Sequence, residues 1–337
     1  MRVQAKVAAI VLSSDAMRKR PNRHRRPGML GLGLALLLAL APASTFAQGA
    51  PAPPQGAAPP KEPPPPLFPK HRRGIYRDSE GRETVDATPQ SPPLETDDPG
   101  VPDNGEYEIN LTTDADLSKE AQSVDLLFVD ANYGMLPRIA GHELPTQLKF
   151  EFPVTTAREH GDAFTFGVGA AKFGLKLNFY SNEHAGLSIS VYPQMEFEAP
   201  GTGGIEKGLA EPGQTLILPL LVAKEFHYFT FVANAGVNKP LHDPERETTD
   251  TFGVGFGRAF TRKVAAMMEV RDEVSSNFTN NHLLLLNVGF IYGVRRVIVY
   301  TQLGHSLFSD DGFGHTYLGI GMKFMIHTKE QETTSRP

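Results

Sequence analysis

The sequence predicts an all-β fold: a single antiparallel transmembrane β-barrel of about twelve strands, preceded by a signal peptide and a Pro-rich disordered segment. Three observations lead there. From about Gly105 to Ile326 short segments repeat with a period of two, the signature of strands whose side chains alternate between two faces. Their connections alternate between tight and long. Charges fall almost wholly opposite the apolar stripe, as they do where one face meets lipid and the other a wet lumen.

The N-terminus comes first. From Met17 the chain reads "MRKRPNRHRRPGMLGLGLALLLALAPASTFAQG": a cationic stretch, an apolar run of about 15 residues over Met29–Ala43, then Thr45-Phe46-Ala47. That layout is a secretory signal for the general export route, cut after Ala47, with residues 1–47 removed and Met17 read as the natural start. The apolar run is shorter than the roughly 20 residues of a spanning helix. Later apolar runs such as "LILPLLVA" and "LLLLNVGFIYGV" are shorter still, so a helical membrane protein is excluded. The formal net charge of −5 argues against a nucleic-acid binder, and the absence of Cys removes disulfides, thiolate metal sites and cysteine nucleophiles.

Residues 48–104 are dominated by Pro, Ala, Gly and charge, as in "APAPPQGAAPPKEPPPPLFPKHRR" and "ATPQSPPLETDDPGVPD". Such composition buries too little apolar surface to offset ordering entropy, and reads as a flexible periplasmic segment. Within it "KHRRGIYRDSEGRE" (70–83) reads as a solvated charge run, with docking to a partner as the alternative.

Twelve alternating segments follow. The first six are "GEYEINLTT" (105–113), "SVDLLFVDAN" (123–132), "TQLKFEFPV" (146–154), "AFTFGVGAAKFGLKLNFY" (163–180), "AGLSISVYPQMEF" (185–197) and "QTLILPLLVAK" (214–224). The second six are "FHYFTFVANAGV" (226–237), "DTFGVGFGRAF" (250–260), "KVAAMMEVRDEV" (263–274), "HLLLLNVGFIYG" (282–293), "RVIVYTQLGHSL" (296–307) and "TYLGIGMKFMI" (316–326). Connections after even-numbered segments are tight ("SNEH", "EFHYF", "FTRK", "GVRR"); those after odd-numbered ones are longer and polar ("TDADLSKEAQ", "TTAREHGD", "EAPGTGGIEKGLAEPG", "NKPLHDPERETT"). This is the layout of outer-membrane barrels, with short periplasmic turns and longer outer loops. "YGMLPRIAGHEL", after the second segment, is the exception. A polar tail, residues 327–337, closes the chain.

The face opposite the apolar stripe supplies the candidate lumen lining: Glu106, Glu108, Lys149, Glu151, Lys172, Lys176, Glu196, Glu269, Arg271, Glu273 and Lys323. In "KFGLKLNFY" Phe173, Leu175, Leu177 and Phe179 are assigned to lipid, and Lys172 and Lys176 to the lumen. The second and eleventh segments have ambiguous faces. Two readings of the inner charges stand level: rings that select small solutes, or pairs that fill a closed bore.

The stretches "LPTQLKFEFPV", "GVGAAKFGLKLNF", "AAMMEVRDEV" and "GHTYLGIGMKF" carry a resemblance. Between Gly105 and Ile326 the chain resembles the outer-membrane barrels named for the MetA pathway of phenol degradation, which are transporter-like. The resemblance implies an exported barrel of about twelve strands; it carries no catalytic or binding residue onto this chain.

Other chemistry finds little footing. "GVGFG" (253–257) has no helix after it, so its alternating glycines make room on an inner face rather than cradle a phosphate. "SDDGFG" and "ETDDPGVPD" lack the spacing of calcium loops, and no cofactor is expected. His305 and Ser306 are neighbours on a strand, point to opposite faces, and cannot share a proton. The expected function is a passive outer-membrane channel or uptake porin for small polar or amphipathic, including aromatic, molecules. It would be surrounded by outer-membrane lipid and lipopolysaccharide. A non-conducting anchor or scaffold is the alternative, and an outer-membrane hydrolase the third.

Overall fold

The computed structural model describes residues 75–77 and 83–327, apart from 140, 183, 227, 228, 244, 295 and 296. The signal, most of the Pro-rich segment and the tail from 328 lie outside the described residues. Two short strands come first, β1 (Ile75–Arg77) and β2 (Glu83–Val85), paired antiparallel. The barrel follows: β3 (Glu106–Leu117), β4 (Ala121–Met135), β7 (Thr146–Glu159), β8 (Thr165–Val168), β9 (Ala170–Asn182), β10 (Leu187–Val191), β11 (Gln194–Glu198) and β12 (Gln214–Glu225). It continues with β13 (Thr230–Leu241), β14 (Thr249–Ala259), β15 (Val264–Ser275), β16 (Leu283–Val294), β17 (Val297–Ser309) and β18 (Thr316–His327). All pairings are antiparallel, and β18 pairs with β3 from Thr316↔Leu117 to His327↔Glu106, closing the ring. Because β8 with β9, and β10 with β11, are each one interrupted strand, the wall has twelve.

The interruptions have local causes. Gly169 separates β8 from β9 and faces Pro153, whose carbonyl it bonds at 3.2 Å. Pro193 separates β10 from β11: it has no N–H for the ladder, while its carbonyl still accepts from Leu175 and Tyr192 N–H donates to Pro219. The unexpected length after the second segment is a small exposed hairpin, β5 (Arg138–Ile139) with β6 (His142–Glu143). Conversely, "TDADLSKEAQ", expected as a long loop, is mostly strand, with only 118–120 between β3 and β4.

Alternation sorts the faces as expected. Phe150, Phe173, Phe179, Phe290 and Ile320 are exposed on the outside, where each apolar side chain suits hydrocarbon. Neighbours such as Lys149, Glu151, Lys172 and Ile291 are buried and face in.

The expectation of a flexible periplasmic segment over 48–104 needs correction for residues 85–104, which lie inside the barrel. They enter at the mouth with the tight turns, where Val85 N–H donates to Arg262 at 2.7 Å. They leave at the same mouth, where Gly105 N–H donates to Gly134 at 2.9 Å. Composition misleads here because the wall, not the segment, supplies the apolar partner. Val85 and Leu94 pack into a buried cluster with Ala259, Ala265, Met267, Ile291, Ile298 and Tyr300. Burying a Val or Leu side chain is worth about 1.5–3 kcal/mol.

The wall is cut to receive the segment. A Cβ at Gly253 would lie 2.7 Å from Thr96 Oγ1, at Gly255 2.8 Å from Pro89 Cβ, and at Gly289 2.9 Å from Pro93 Cγ. Gly257 abuts the Ala87 carbonyl. The glycines of "GVGFG" do make room, and what fills it is the N-terminal segment.

Candidate functional site: the occluded lumen

The inner wall and the segment are joined mainly by charge-assisted hydrogen bonds. Lys176, fully buried, donates from Nζ to Asp97 Oδ1 at 2.9 Å and to the Asp98 carbonyl at 2.8 Å. Its ammonium also stands 4.6 Å from the centroid of the buried Tyr192 ring. Glu269 accepts the N–H groups of Glu95 (2.8 Å) and Thr96 (2.6 Å) and Asn287 Nδ2 (2.7 Å). Lys323 bridges Glu108 (3.0 Å) and Gln90 Oε1 (2.8 Å). Glu106 accepts from Asp103 N–H at 3.1 Å where the segment leaves the lumen. Asn178 and Ser190 both donate to the Pro99 carbonyl.

The remaining predicted residues bind one another. Lys149 sits between Glu151 (2.9 Å) and Asp130 (3.4 Å), and Lys172 between Glu151 (3.3 Å) and Glu196 (3.9 Å). Arg271 pairs with Glu273 at 3.1 Å. Thus Glu106, Lys176, Glu269 and Lys323 hold the segment, with Glu108 paired to Lys323 behind it; Lys149, Glu151, Lys172, Glu196, Arg271 and Glu273 brace the wall.

The sequence reading missed the carboxylates of β3 and β4: Asp114, Asp116, Asp125 and Asp130. Asp114 and Asp116 fall in "TDADLSKEAQ", the stretch expected as a loop. On β4 a register shift between Asp125 and Leu127 changes the phase of the alternation, so the face of that segment looked ambiguous. Asp125 and Asp130, on either side of the shift, are both buried on the inner wall.

Above the segment, toward the mouth with the longer loops, lies a cavity of about 160 Å³. Its floor is Ser91–Asp97 of the segment, and its walls include Asp114, Asp125, Arg271, Ile217 and Leu221. At the rim His315, 3% exposed, is clamped between Asp116 Oδ1 (3.1 Å) and Asp311 Oδ2 (2.8 Å). Burial opposes its charge, but the bonds and charges of Asp116 and then Asp311 outweigh that and raise its pKa to about 9. Asp311 is shifted the other way: burial opposes its charge, and bonds from Ser309, His315 and Phe313 N–H hold its pKa below the usual value. Ser306 Oγ accepts His315 N–H at 2.8 Å, and His305 Nδ1 meets Thr316 Oγ1 at 3.2 Å, so neither ring activates the serine. Among the described residues no group of three or more His, Asp or Glu side chains is placed to hold a metal ion.

No protein-family model and no curated protein matches the sequence. Among solved structures, an outer-membrane channel from Pseudomonas putida F1 matches with a TM-score of 0.54 at 11% identity, covering 66% of this chain and 96% of that one. The fold is that of an outer-membrane β-barrel. Weaker likenesses include the NanC porin (TM-score 0.43, 6% identity, 64% of this chain and 98% of that one). The KdgM porin, solved in complex with disordered oligogalacturonate, is similar at TM-score 0.41 and 10% identity, over 65% of this chain and 99% of that one. In this outer-membrane barrel the bore holds its own N-terminal flank, and the cavity sits above it.

Proposed function

We propose that the protein is a passive channel of the bacterial outer membrane for small polar or amphipathic solutes, shut here by residues 85–104. Lipid and lipopolysaccharide would surround its apolar girdle. One observation carries the reading: at Gly253, Gly255, Gly257 and Gly289 the wall leaves space in which atoms of the segment are the nearest neighbours. A barrel meant as a solid pillar would fill that space with its own side chains. The resemblance to the barrels named for the MetA pathway of phenol degradation supports the same class. A non-conducting scaffold is the second reading, favoured by the bracing pairs around Lys149 and Lys172.

The test exploits the absence of native Cys. Thr96 Cβ lies 3.8 Å from the Cβ position of Gly253, the separation of about 3.8 Å found in disulfides. In Thr96→Cys/Gly253→Cys, planar-bilayer openings should be at least about tenfold rarer oxidised than reduced, by the pinning of a mobile segment. Silence in both states, and in a barrel lacking residues 85–102, would leave the scaffold.

A further inference from the structure

We propose that the outer face of β12–β14, beside the tight-turn mouth, is a seat for a phospholipid carrying two phosphates, of the diphosphatidylglycerol type. It rests on the outer-membrane reading with that mouth periplasmic, and not on conduction. The first argument is a pair of cations on the lipid face. Lys224 shares the alternation phase of Leu218 and Leu220, and Arg258 that of Phe252 and Phe256, and all four apolar residues are exposed. The flanking Ala223 and Ala259 are buried. A cation turned toward lipid is unfavourable except near the headgroups, and each is next to last in its strand.

Neither cation is neutralised within the protein. Among the described residues Lys224 donates to the Ala185 carbonyl, and Arg258 stands 5.8 Å from the centroid of the Phe260 ring. Neither has a carboxylate within ion-pair distance among those residues. An ammonium has three N–H groups and a guanidinium five, so donors remain for phosphate oxygens.

The ground between the two is the second argument. Lys224 Nζ is 5.7 Å from the Phe226 centroid, and Phe226 stacks on Phe229 at 4.6 Å. Phe229 meets Phe256 at 6.3 Å, two residues before Arg258. Acyl chains lie against such rings while the headgroup stays at the charged level. β12 and β14 are two strand spacings apart, about 10 Å. At that spacing each cation takes a phosphate of its own, and two phosphates joined through one glycerol satisfy both with a single molecule. The opposite side of the ring differs. There Tyr107 and Tyr133 of β3 and β4 pair at 4.6 Å, and among the described residues no cation meets them. Rings alone make an interfacial belt; cations added on one face give it a preference for negative headgroups.

Native mass spectrometry tests this on the full-length protein in mild detergent, offered equal amounts of cardiolipin, phosphatidylglycerol, phosphatidylcholine and lipid A. Cardiolipin adducts should exceed those of phosphatidylglycerol about fivefold and of phosphatidylcholine about tenfold or more, by the attraction each interfacial cation adds. Lys224→Gln/Arg258→Gln should remove the preference. Arg158→Gln/Lys239→Gln, which removes two exposed cations near the opposite mouth, should keep it. Equal binding of phosphatidylglycerol and cardiolipin by the wild type overturns the seat, whether or not the variants fold. So does a preference that survives Lys224→Gln/Arg258→Gln, or one lost equally in both double variants. A preference for lipid A overturns it as well, and places this mouth in the outer leaflet. Silence of the reduced double-cysteine protein would remove the channel and leave the seat standing.

Discussion

At the residue scale, His315 shows how a side chain can be seen in the sequence and still be misread. Loop histidines are ordinarily solvated, and nothing near His315 in sequence announces Asp116, which lies 199 residues away. Closure of β18 on β3 brings the two together. The inner position of Lys172, Lys176, Glu269 and Lys323 was legible because alternation fixes which face a residue takes. The partners of Lys176, Glu269 and Lys323 on the segment were not, because Asp97, Glu95 and Gln90 sit in a stretch without periodicity. The His315 clamp has a sign that can be tested. Its folded pKa of about 9 lies above the ordinary 6.5, so its stabilisation is complete below pH 6.5 and is lost as pH rises through about 9. A shift of that size corresponds to at most about 3.4 kcal/mol. Amide exchange in residues 310–315, corrected for its intrinsic pH dependence, should lose protection across that window, and His315→Gln should abolish the trend. Protection that rises with pH would refute the clamp.

At the element scale, the paired strands were legible and their interruptions were not. A period of two survives a proline or a bulge, so "AFTFGVGAAKFGLKLNFY" and "AGLSISVYPQMEF" each read as one strand. The breaks at Gly169 and Pro193 depend on what the neighbouring strand offers. The β9 wall gives a paired test of the faces. Leu175→Arg places a charge against hydrocarbon and should cost about 2–4 kcal/mol near the midplane. Gly174→Arg meets Tyr192 instead: a Cβ there lies 2.8 Å from Tyr192 Cε2 and 3.0 Å from Gln194 Cγ. Both substitutions should lower the folded, heat-modifiable fraction, for different reasons. Tyr192→Ala should restore Gly174→Arg and leave Leu175→Arg unrescued. Rescue of neither, or of both, would mean that the faces are assigned wrongly.

At the scale of the whole molecule, the closed ring follows from twelve alternating segments, but the state of its bore does not. A Pro-rich stretch ahead of a barrel has the same composition whether it hangs free or is threaded inside. The deciding information is in the wall, in glycines whose purpose appears only when Ala87, Pro89, Pro93 and Thr96 are set against them. Sequence alone reads those glycines as space; it takes the fold to show what the space is for.

The segment is tied to the barrel through Asn104 and Gly105, directly ahead of β3. A stopper on so short a leash cannot diffuse away. Its effective concentration at its own seat is on the order of millimolar, as for any site reached through a short flexible link. In the proposed channel, reclosure is therefore a first-order event, indifferent to how many copies the membrane holds. A synthetic peptide covering residues 85–104, added to a barrel from which they have been removed, has only its bulk concentration in place of the tether. Half-block of the current should need roughly millimolar peptide if the isolated contacts are weak. Block at nanomolar peptide would show that the contacts alone hold the stopper and that the leash is incidental.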